Sequence, residues 1–255
     1  MADRFGLPTF MGHRGAALLA PENTLAGLDA AAAAGCTWVE LDVMLSGDGV
    51  PVLHHDHKLG RTSRQRGVVE KMSAAELGRV DVGARFHTDF EGEGIPTLAA
   101  ALERMAVLGL IPNLEIKPAR GREEETTRAT LRVLEDTWPG NAQTPMLSSF
   151  QKPCLEVALR RGEQYPRALI ANRPPAEWKN LLKKLECVSL HVSRRHLTVH
   201  RVEAIRDAGF QLAIYTVNDP VEAQMFRRWG VDCVITDAPD RVATALSKPL
   251  PPAGA

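Results

Sequence analysis

The residues best suited to chemistry are two histidines and three acids in the first half of the chain. His13 and His55 lie on either side of the acidic pair Glu40 and Asp42, and Glu115 follows later. Imidazoles titrate near neutral pH, so two of them can act as general base and general acid across one phosphate. Carboxylate oxygens are the ligands that hard divalent cations prefer. These residue types predict a phosphodiesterase in which a metal ion holds the phosphate while two histidines transfer protons.

The alternation of acidic and apolar residues predicts that the three acids face one interior. Side chains point to opposite faces along a strand, so Glu40 and Asp42 share a face. Glu115 and Lys117 share a face of a later strand for the same reason. Three buried carboxylates without partners would repel one another and lose solvation. A divalent cation, Mg²⁺ first and Ca²⁺ or Mn²⁺ as alternatives, would remove that cost. The other interpretation is a set of salt bridges to Arg14 and Lys117.

Five further residues are candidates for contacts with a substrate or its phosphate. Arg14 can hold a phosphate with its planar fork, and Lys117 adds a second positive charge. Glu22 follows the first predicted strand, where it would orient a histidine or contact the surroundings of the metal. Phe150 and Tyr215 end later strands and are candidate walls for a small alcohol group, although aromatic residues in such positions more often belong to the core.

The histidines next to His55 are predicted to be bystanders. His54 has the opposite side-chain parity from His55, and His57 lies beyond the strand end. Asp56 is predicted either to orient its neighbours or to cap the loop that follows.

These residues fall at the carboxyl ends of strands in a repeating βα pattern. Short apolar runs predict eight barrel strands, at 9–12, 38–43, 113–116, 146–149, 167–170, 187–190, 211–216 and 233–236. Amphipathic stretches predict helices at 25–34, 98–108, 123–136, 153–161, 177–185, 199–208, 221–229 and 241–246. Asn23 or Thr24 can cap the first helix, and Thr97 can cap the second. Eight strands that each precede a helix predict the α/β class and a TIM (β/α)8 barrel rather than an open doubly wound sheet.

Two segments depart from this pattern. The turn sequence Ser46-Gly47-Asp48-Gly49 and the apolar run 50–53 predict an antiparallel hairpin leg after the second strand. Residues 56–96 are polar and glycine-rich with weak periodicity, which predicts an insertion after strand two. We predict one domain at 1–247 and a proline-rich disordered tail at 248–255.

The composition excludes several classes of function. The chain has 255 residues with 31 basic and 31 acidic side chains and a pI of about 7.1, so no overall field attracts nucleic acid or an anionic membrane. Its four cysteines are too widely spaced for a zinc knuckle or a disulfide framework, which favours a reducing compartment. No apolar run is typical of a signal peptide or a membrane span. We therefore expect a cytoplasmic protein with a small-molecule substrate and no membrane insertion, and a homodimer stays open.

Taken in order, the motifs resemble those of the glycerophosphodiester phosphodiesterase family across nearly the full chain. They are His13-Arg14-Gly15, Pro21-Glu22-Asn23-Thr24, Glu40-x-Asp42, Asp48-Gly49, His55-Asp56, Arg61-Thr62-Ser63, Glu115-Ile116-Lys117, Ser149-Phe150 and Thr216-Val217-Asn218. The runs 215–218 and 228–233 most resemble the short cytoplasmic bacterial members that are associated with glycerol-3-phosphate uptake. Departures are small: Tyr215 stands where many relatives have tryptophan, and His54 doubles the usual single histidine.

The resemblance implies a TIM barrel with a small insertion after strand two and a bound Mg²⁺ or Ca²⁺. It implies that Glu40, Asp42 and Glu115 are the metal ligands. It also implies that His13 and His55 form the acid–base pair. The implied reaction is hydrolysis of a glycerophosphodiester such as glycerophosphocholine to sn-glycerol 3-phosphate and an alcohol. The glycerol 2-hydroxyl would attack first and form a cyclic phosphate, because an internal nucleophile lowers the barrier.

Two alternatives stay open at this point. A lysophospholipase D-like or lyase-type phosphodiesterase would share the histidines and acids, but it should need an apolar loop or a disulfide-braced surface for lipid, which the sequence does not show. A catalytically silent phosphate-binding barrel would be expected to lack His13, His55 or one of the acids, and all of them are present.

Overall fold

The arrangement of strands and helices follows the predicted βα pattern. The structure is a computed structural model that describes residues 5–247, so the predicted tail lies outside the described residues. Strands β1 to β9 are Phe10–His13, Trp38–Leu45, Pro51–Leu53, Ile111–Ile116, Met146–Ser149, Arg167–Ala171, Cys187–Ser193, Gln211–Tyr215 and Cys233–Thr236. Helices α1 to α9 are Leu25–Ala33, Ala74–Leu77, Leu98–Leu108, Glu123–Thr137, Lys152–Arg161, Trp178–Lys184, Val199–Asp207, Pro220–Trp229 and Pro239–Leu246.

Strand pairing closes the sheet on itself. The parallel strands follow the order β1-β9-β8-β7-β6-β5-β4-β2, and β1 pairs again with β2. The short β3 runs antiparallel to β2, with Val43 opposite Leu53, as the turn sequence predicted. The predicted TIM barrel is therefore confirmed, with β3 as an additional strand on β2.

Alternating side chains explain why β2 sits in the barrel wall. All eight residues of β2 are buried, which is typical of a parallel strand covered on both faces. Val39, Leu41 and Val43 belong to the apolar core shared with α1 and α3. Glu40 and Asp42 alternate with them and therefore face the barrel interior. The lower interior is filled by an apolar cluster of Met11, Trp38, Met146, Ala168, Ala213, Cys233 and Ile235.

The insertion has a small core of its own, which its weak periodicity did not predict. Residues 56–96 contain α2 and two 3₁₀ turns, Val69–Lys71 and Thr88–Phe90. Glu93 accepts a hydrogen bond from the backbone of Ala26 at 3.1 Å, which fixes the insertion against α1. The insertion packs against β2 and β3 through the buried residues Met44, Val52, Leu59, Val69, Leu77, Val80, Val82 and Ile95.

Two further expectations concern the membrane and the cysteines. Over residues 5–247, the structure contains no helix with the length and apolarity needed to cross a membrane. The cysteines Cys36, Cys154, Cys187 and Cys233 are all free and buried. Burial raises the pKa of the Cys36 thiol to about 12, so this thiol stays protonated at neutral pH.

Candidate active site

A cavity of about 240 Å³ opens at the carboxyl ends of the barrel strands. Its charged half lies on the side of β1 to β4 and contains His13, Arg14, Glu40, His55, Glu115 and Lys117. Its uncharged half lies mainly on the side of β5 to β9 and contains Asn113, Phe150, Ile170, Asn172, His191, Tyr215, Thr216 and Ile235. Eight of the ten predicted site residues therefore line one cavity. The other two, Glu22 and Asp42, contact Arg14 from outside the lining.

The three acids form a compact cluster because β2 and β4 are neighbours with Asp42 opposite Glu115. Glu40, Asp42 and Glu115 each offer an oxygen, and these oxygens all lie within 4.8 Å of one another. The alternative salt bridges also form: Asp42 lies 3.3 Å from Arg14 Nε and 3.4 Å from Lys117 Nζ. Lys117 Nζ lies 3.6 Å from Glu115. Three carboxylates thus share two cations.

The excess negative charge in this cluster appears in the acid pKa values. Burial, followed by repulsion from Asp42 and Glu115, raises the pKa of Glu40 well above its usual range. Burial and the charge of Asp42 raise the pKa of Glu115 to about 7. Burial opposes the ionisation of Asp42, but Lys117 and Arg14 outweigh it and lower the pKa of this carboxyl. In addition, the buried Glu40 Oε1 has no hydrogen-bond partner among the described residues. A buried set of carboxylate oxygens with one acceptor unused fits a hard divalent cation.

His13 is held by an aspartate from the far end of the chain. His13 Nδ1 and Asp237 Oδ1 are 2.6 Å apart, and Asp237 Oδ2 accepts a hydrogen bond from Asn218 Nδ2 at 2.8 Å. The contact exists because β1 and β9 pair where the barrel closes. Burial opposes the ionisation of Asp237, but His13, Asn218 and Arg14 together outweigh burial and lower the pKa of this carboxyl. The His13 Nε2 atom lies on the other side of the ring, 3.8 Å from Glu40.

His55 has a carboxylate partner of the same kind next to it in sequence. His55 Nδ1 and Asp56 Oδ1 are 2.6 Å apart, and Asp56 Oδ2 accepts a hydrogen bond from Arg61 Nε at 2.6 Å. Burial is the main cause of the lowered pKa of His55. Both histidines therefore direct Nδ1 to a carboxylate, which leaves Nε2 of each for a substrate. Of the two interpretations of Asp56, the structure shows the orienting one.

Arg14 is placed by a sharp turn after β1. Its backbone φ is 51° and that of Gly15 is 86°, and a Cβ on Gly15 would lie 2.8 Å from the backbone of Gly27. The Arg14 backbone N–H donates to Glu40 Oε2 at 3.2 Å. Its side chain donates to Glu22 Oε1 at 2.9 Å. The guanidinium thus lies among carboxylates at the edge of the cavity.

Glu22 connects the barrel to the insertion rather than lining the cavity. Besides Arg14, it accepts two hydrogen bonds from Arg61, at 2.7 Å and 2.6 Å. Arg61 also holds Asp56, so a chain of charged groups runs from Arg14 through Glu22 and Arg61 to the partner of His55. A direct role of Glu22 in binding substrate stays a prediction.

Asn23 has a function in the site that the sequence did not reveal. Thr24, and not Asn23, caps α1, because Thr24 Oγ1 accepts from the backbone of Gly27 at 3.0 Å. Asn23 Nδ2 instead donates to Asp42 Oδ2 at 2.8 Å, and Asn23 Oδ1 accepts from the Asp42 backbone at 3.1 Å. Both positions suit a helix cap, so the sequence offered no signal for this second role.

The aromatic walls and the additional histidines lie as follows. Phe150 and Tyr215 both line the cavity and meet edge to face, with ring centroids 6.2 Å apart. His54 is buried, its Nε2 has no hydrogen-bond partner among the described residues, and it is absent from the cavity lining. His57 is largely exposed and lies 3.5 Å from Glu70. That both histidines are bystanders stays a prediction.

Comparison with known sequences identifies related proteins over most of the chain. The sequence profile of the Glycerophosphoryl diester phosphodiesterase family matches residues 13–241. The protein YhdW of Bacillus subtilis (strain 168) is 31% identical over 235 residues, which cover 89% of this chain and 93% of that protein. A glycerophosphodiester phosphodiesterase of Caldanaerobacter subterraneus subsp. tengcongensis is 29% identical over 240 residues, which cover 92% of this chain and 96% of that protein.

Solved structures show the same similarity in three dimensions. A phosphodiesterase from Oleispira antarctica, in complex with the product sn-glycerol-3-phosphate, has a TM-score of 0.93 and 38% identity. That match covers 95% of this chain and 98% of the other. A glycerophosphodiester phosphodiesterase from Thermotoga maritima has a TM-score of 0.71 and 27% identity, over 95% of this chain and 99% of that one.

Proposed function

The chain belongs to the glycerophosphoryl diester phosphodiesterase family and is a glycerophosphodiester phosphodiesterase, and we propose that it acts by metal-dependent acid–base catalysis with two histidines. Its substrates would be glycerophosphodiesters, cleaved to sn-glycerol 3-phosphate and an alcohol. The observation that carries this proposal is one cavity that holds both histidines beside the three clustered acids. The related Oleispira protein, whose structure contains sn-glycerol-3-phosphate, supports the identity of the product.

The carboxylates of Glu40, Asp42 and Glu115 would hold the cation, since their oxygens converge and Glu40 Oε1 has an unused acceptor. Oxygen ligands of this kind suit Mg²⁺ best, with Ca²⁺ or Mn²⁺ as alternatives. A divalent ion bound there would act as a Lewis acid on the phosphate oxygens. Asn23 would keep the Asp42 carboxylate in place through its two hydrogen bonds.

The protein's own cations would stabilise the charge that develops on the phosphate. Arg14 and Lys117 line the charged half of the cavity, and both also contact the acid cluster. Preorganised positive groups stabilise a transition state without reorganising during the reaction. The network from Glu22 to Arg61 would hold Arg14 at the rim.

The two histidines would exchange roles over two half-reactions. In the first, one imidazole Nε2 takes the proton of the glycerol 2-hydroxyl while that oxygen attacks phosphorus. The other histidine gives its proton to the departing alcohol, and a cyclic phosphate remains. In the second, water attacks the cyclic phosphate, the histidines act in the reverse sense, and the ring opens to sn-glycerol 3-phosphate. Asp237 and Asp56 support this exchange, because a carboxylate on Nδ1 stabilises the protonated ring and directs Nε2 to the substrate.

Release of sn-glycerol 3-phosphate from glycerophosphocholine tests the proposal, measured with Mg²⁺, Ca²⁺ or Mn²⁺ and again with EDTA. We expect metal-dependent release, abolished in His13→Ala and retained in the matched variant His57→Ala. Accumulation of the cyclic phosphate would indicate a lyase-type enzyme. Failure to cleave any head group with any of the metals, in a folded protein, would indicate the catalytically silent barrel.

A further inference from the structure

Among the described residues, strands β4, β5 and β7 each carry a buried polar side chain with one unpartnered atom. Asn113 Oδ1, Ser148 Oγ and His191 Nδ1 have no hydrogen-bond partner among the described residues. All three side chains are buried, with exposed fractions of 0%, 0% and 1%. Asn113 and His191 also line the cavity itself. Buried polar groups are nearly always paired, so the unpartnered atoms of Asn113 and His191 in one cavity indicate a place where a polar ligand completes them.

His191 is a neutral group in this position. Its Nε2 lies 3.0 Å from Ser189 Oγ, so one ring nitrogen is already engaged and the other is free for a ligand. Burial alone lowers the pKa of His191 to about 3, and no acid contributes to that shift. The cation-rich half of the cavity suits a phosphate, whereas a neutral imidazole and an amide oxygen in the uncharged half suit a hydroxyl group.

The surroundings of His191 fit a short carbon chain that ends in a hydroxyl. Ile170 lies opposite His191 on the neighbouring strand β6, and Ile235 and Tyr215 add apolar surface to the same cavity. Met11 and Met146 are buried apolar strand partners of Ile235 and Asn113, and they limit the cavity at this end. A ligand that enters here therefore reaches a closed end.

We propose that His191, together with Asn113, forms a subsite for the terminal hydroxyl of the substrate's glycerol moiety. This inference rests on the proposed function, in which the phosphate occupies the charged half and the glycerol 2-hydroxyl faces the histidines. The terminal hydroxyl is the remaining polar group of the glycerol. The substrate thus enters glycerol end first with its head group towards the solvent. An acyl chain on the terminal oxygen would meet the closed end, so lysophospholipids are excluded.

A pair of substrates tests the subsite. Glycerophosphocholine carries the terminal hydroxyl, and 2-hydroxypropyl phosphocholine lacks it but retains the attacking 2-hydroxyl. We expect the wild-type protein to prefer glycerophosphocholine by roughly 10–100-fold in kcat/KM, as expected when buried polar groups lose their partner. In His191→Leu that preference should fall to within about threefold, because no ring nitrogen is left to discriminate. In His191→Gln, which retains a hydrogen-bonding group, part of the preference should remain.

The ratio of kcat/KM for the two substrates, measured on one variant, does not change when part of the protein is unfolded. His54→Leu is the matched control, since His54 is also buried with an unpartnered nitrogen but does not line the cavity, and it should keep the wild-type ratio. Lysophosphatidylcholine should be cleaved at least about 100-fold more slowly than glycerophosphocholine.

Three results would overturn the subsite: equal wild-type turnover of the two substrates, an unchanged preference in His191→Leu, or rapid cleavage of lysophosphatidylcholine. The wild-type comparisons stand even if His191→Leu does not fold. A wild-type protein that is inactive on every substrate would instead refute the proposed function, and with it the subsite.

Discussion

Replacing Asp237 by asparagine tests how the site controls His13. In the structure, the Asp237 carboxylate lies 2.6 Å from His13 Nδ1 and is itself fixed by Asn218 at 2.8 Å. Asparagine has nearly the same shape, so the cavity should keep its form. Its amide group, however, can donate a hydrogen bond to Nδ1, which places the ring proton on Nε2, the nitrogen that faces the substrate. The variant thus changes the charge and the tautomer with little change in packing.

The size of the effect follows from these contacts. A hydrogen bond to a charged group contributes about 1.5–3 kcal/mol. At about 1.4 kcal/mol per factor of ten, its loss from the transition state corresponds to roughly 10–150-fold in rate. The reversed tautomer adds to this loss, because His13 must then be rearranged before it can accept a proton. We expect kcat to fall by roughly 10²–10⁴-fold, the range of a lost general acid or base.

The assay is release of sn-glycerol 3-phosphate, with kcat and KM determined separately. In Asp237→Asn kcat should fall while KM changes little, because Asp237 contacts His13 and lies outside the cavity lining. A merely structural role of Asp237 would be expected to change KM as well as kcat. Asp240→Asn, an exposed aspartate in the first turn of α9, is the control and should retain wild-type activity. If Asp237→Asn keeps more than a tenth of the wild-type kcat, the pair does not support catalysis.

Three further predictions concern the second histidine and the acid cluster. His55→Ala should lower kcat by roughly 10²–10⁴-fold with an unchanged circular dichroism spectrum. The control His57→Ala should retain activity. Equal losses in the two variants would contradict the assignment of His55 as the second catalytic histidine. In EDTA, the free energy of unfolding should fall as the pH rises from about 4.5 to about 7, because folded Glu115, with its pKa of about 7, still holds a proton that the unfolded chain has released. Mg²⁺ should remove that decline in thermal unfolding, and a flat profile in EDTA would refute the reasoning. Asn23→Ala, which loses both hydrogen bonds to Asp42, should weaken metal affinity about 10–100-fold in a titration, and unchanged affinity would show that Asn23 does not orient this ligand.

The fold could be predicted from the sequence because the apolar pattern of each βα unit lies within consecutive residues. The predicted ranges 98–108, 146–149 and 233–236 agree with α3, β5 and β9 to the residue. The predicted cap of α3 is also confirmed, because Thr97 accepts from the α3 backbone. Hydrophobic periodicity and capping act over a few residues, so they can be recognised without knowledge of the tertiary contacts.

The core of the insertion could not be predicted from the sequence, because it is not built from helices and strands with a periodic apolar pattern. Leu59, Val69 and Ile95 are separated from one another by polar and glycine-rich sequence, yet they meet in one buried cluster. Their partners Met44 and Val52 belong to β2 and β3, so the apolar surface that receives them lies outside the insertion. A pattern that depends on distant partners produces no local signal.

The same distinction separates the site residues that the sequence revealed from those that it did not. The types and spacing of His13, Glu40 and Glu115 were enough to predict that they share one site, and the structure brings them to one cavity. Asp237 was not among the predicted site residues, because its contact with His13 depends on the closure of β9 against β1. Asn23 had a sufficient local explanation as a cap, which concealed its contact with the acid cluster.

Each of the two histidines has a carboxylate partner, but one partner follows a barrel strand and the other lies in a loop. This difference explains why the insertion belongs to the site. Asp237 directly follows barrel strand β9, which is held by pairing on both sides. Asp56 instead lies in a loop after β3, where no barrel strand fixes it. Its position depends on Arg61, which Glu22 holds through two hydrogen bonds. If the two histidines are to exchange roles as base and acid, both must be held equally well. The insertion therefore supplies, through Arg61, the rigidity that the barrel itself supplies to the first histidine.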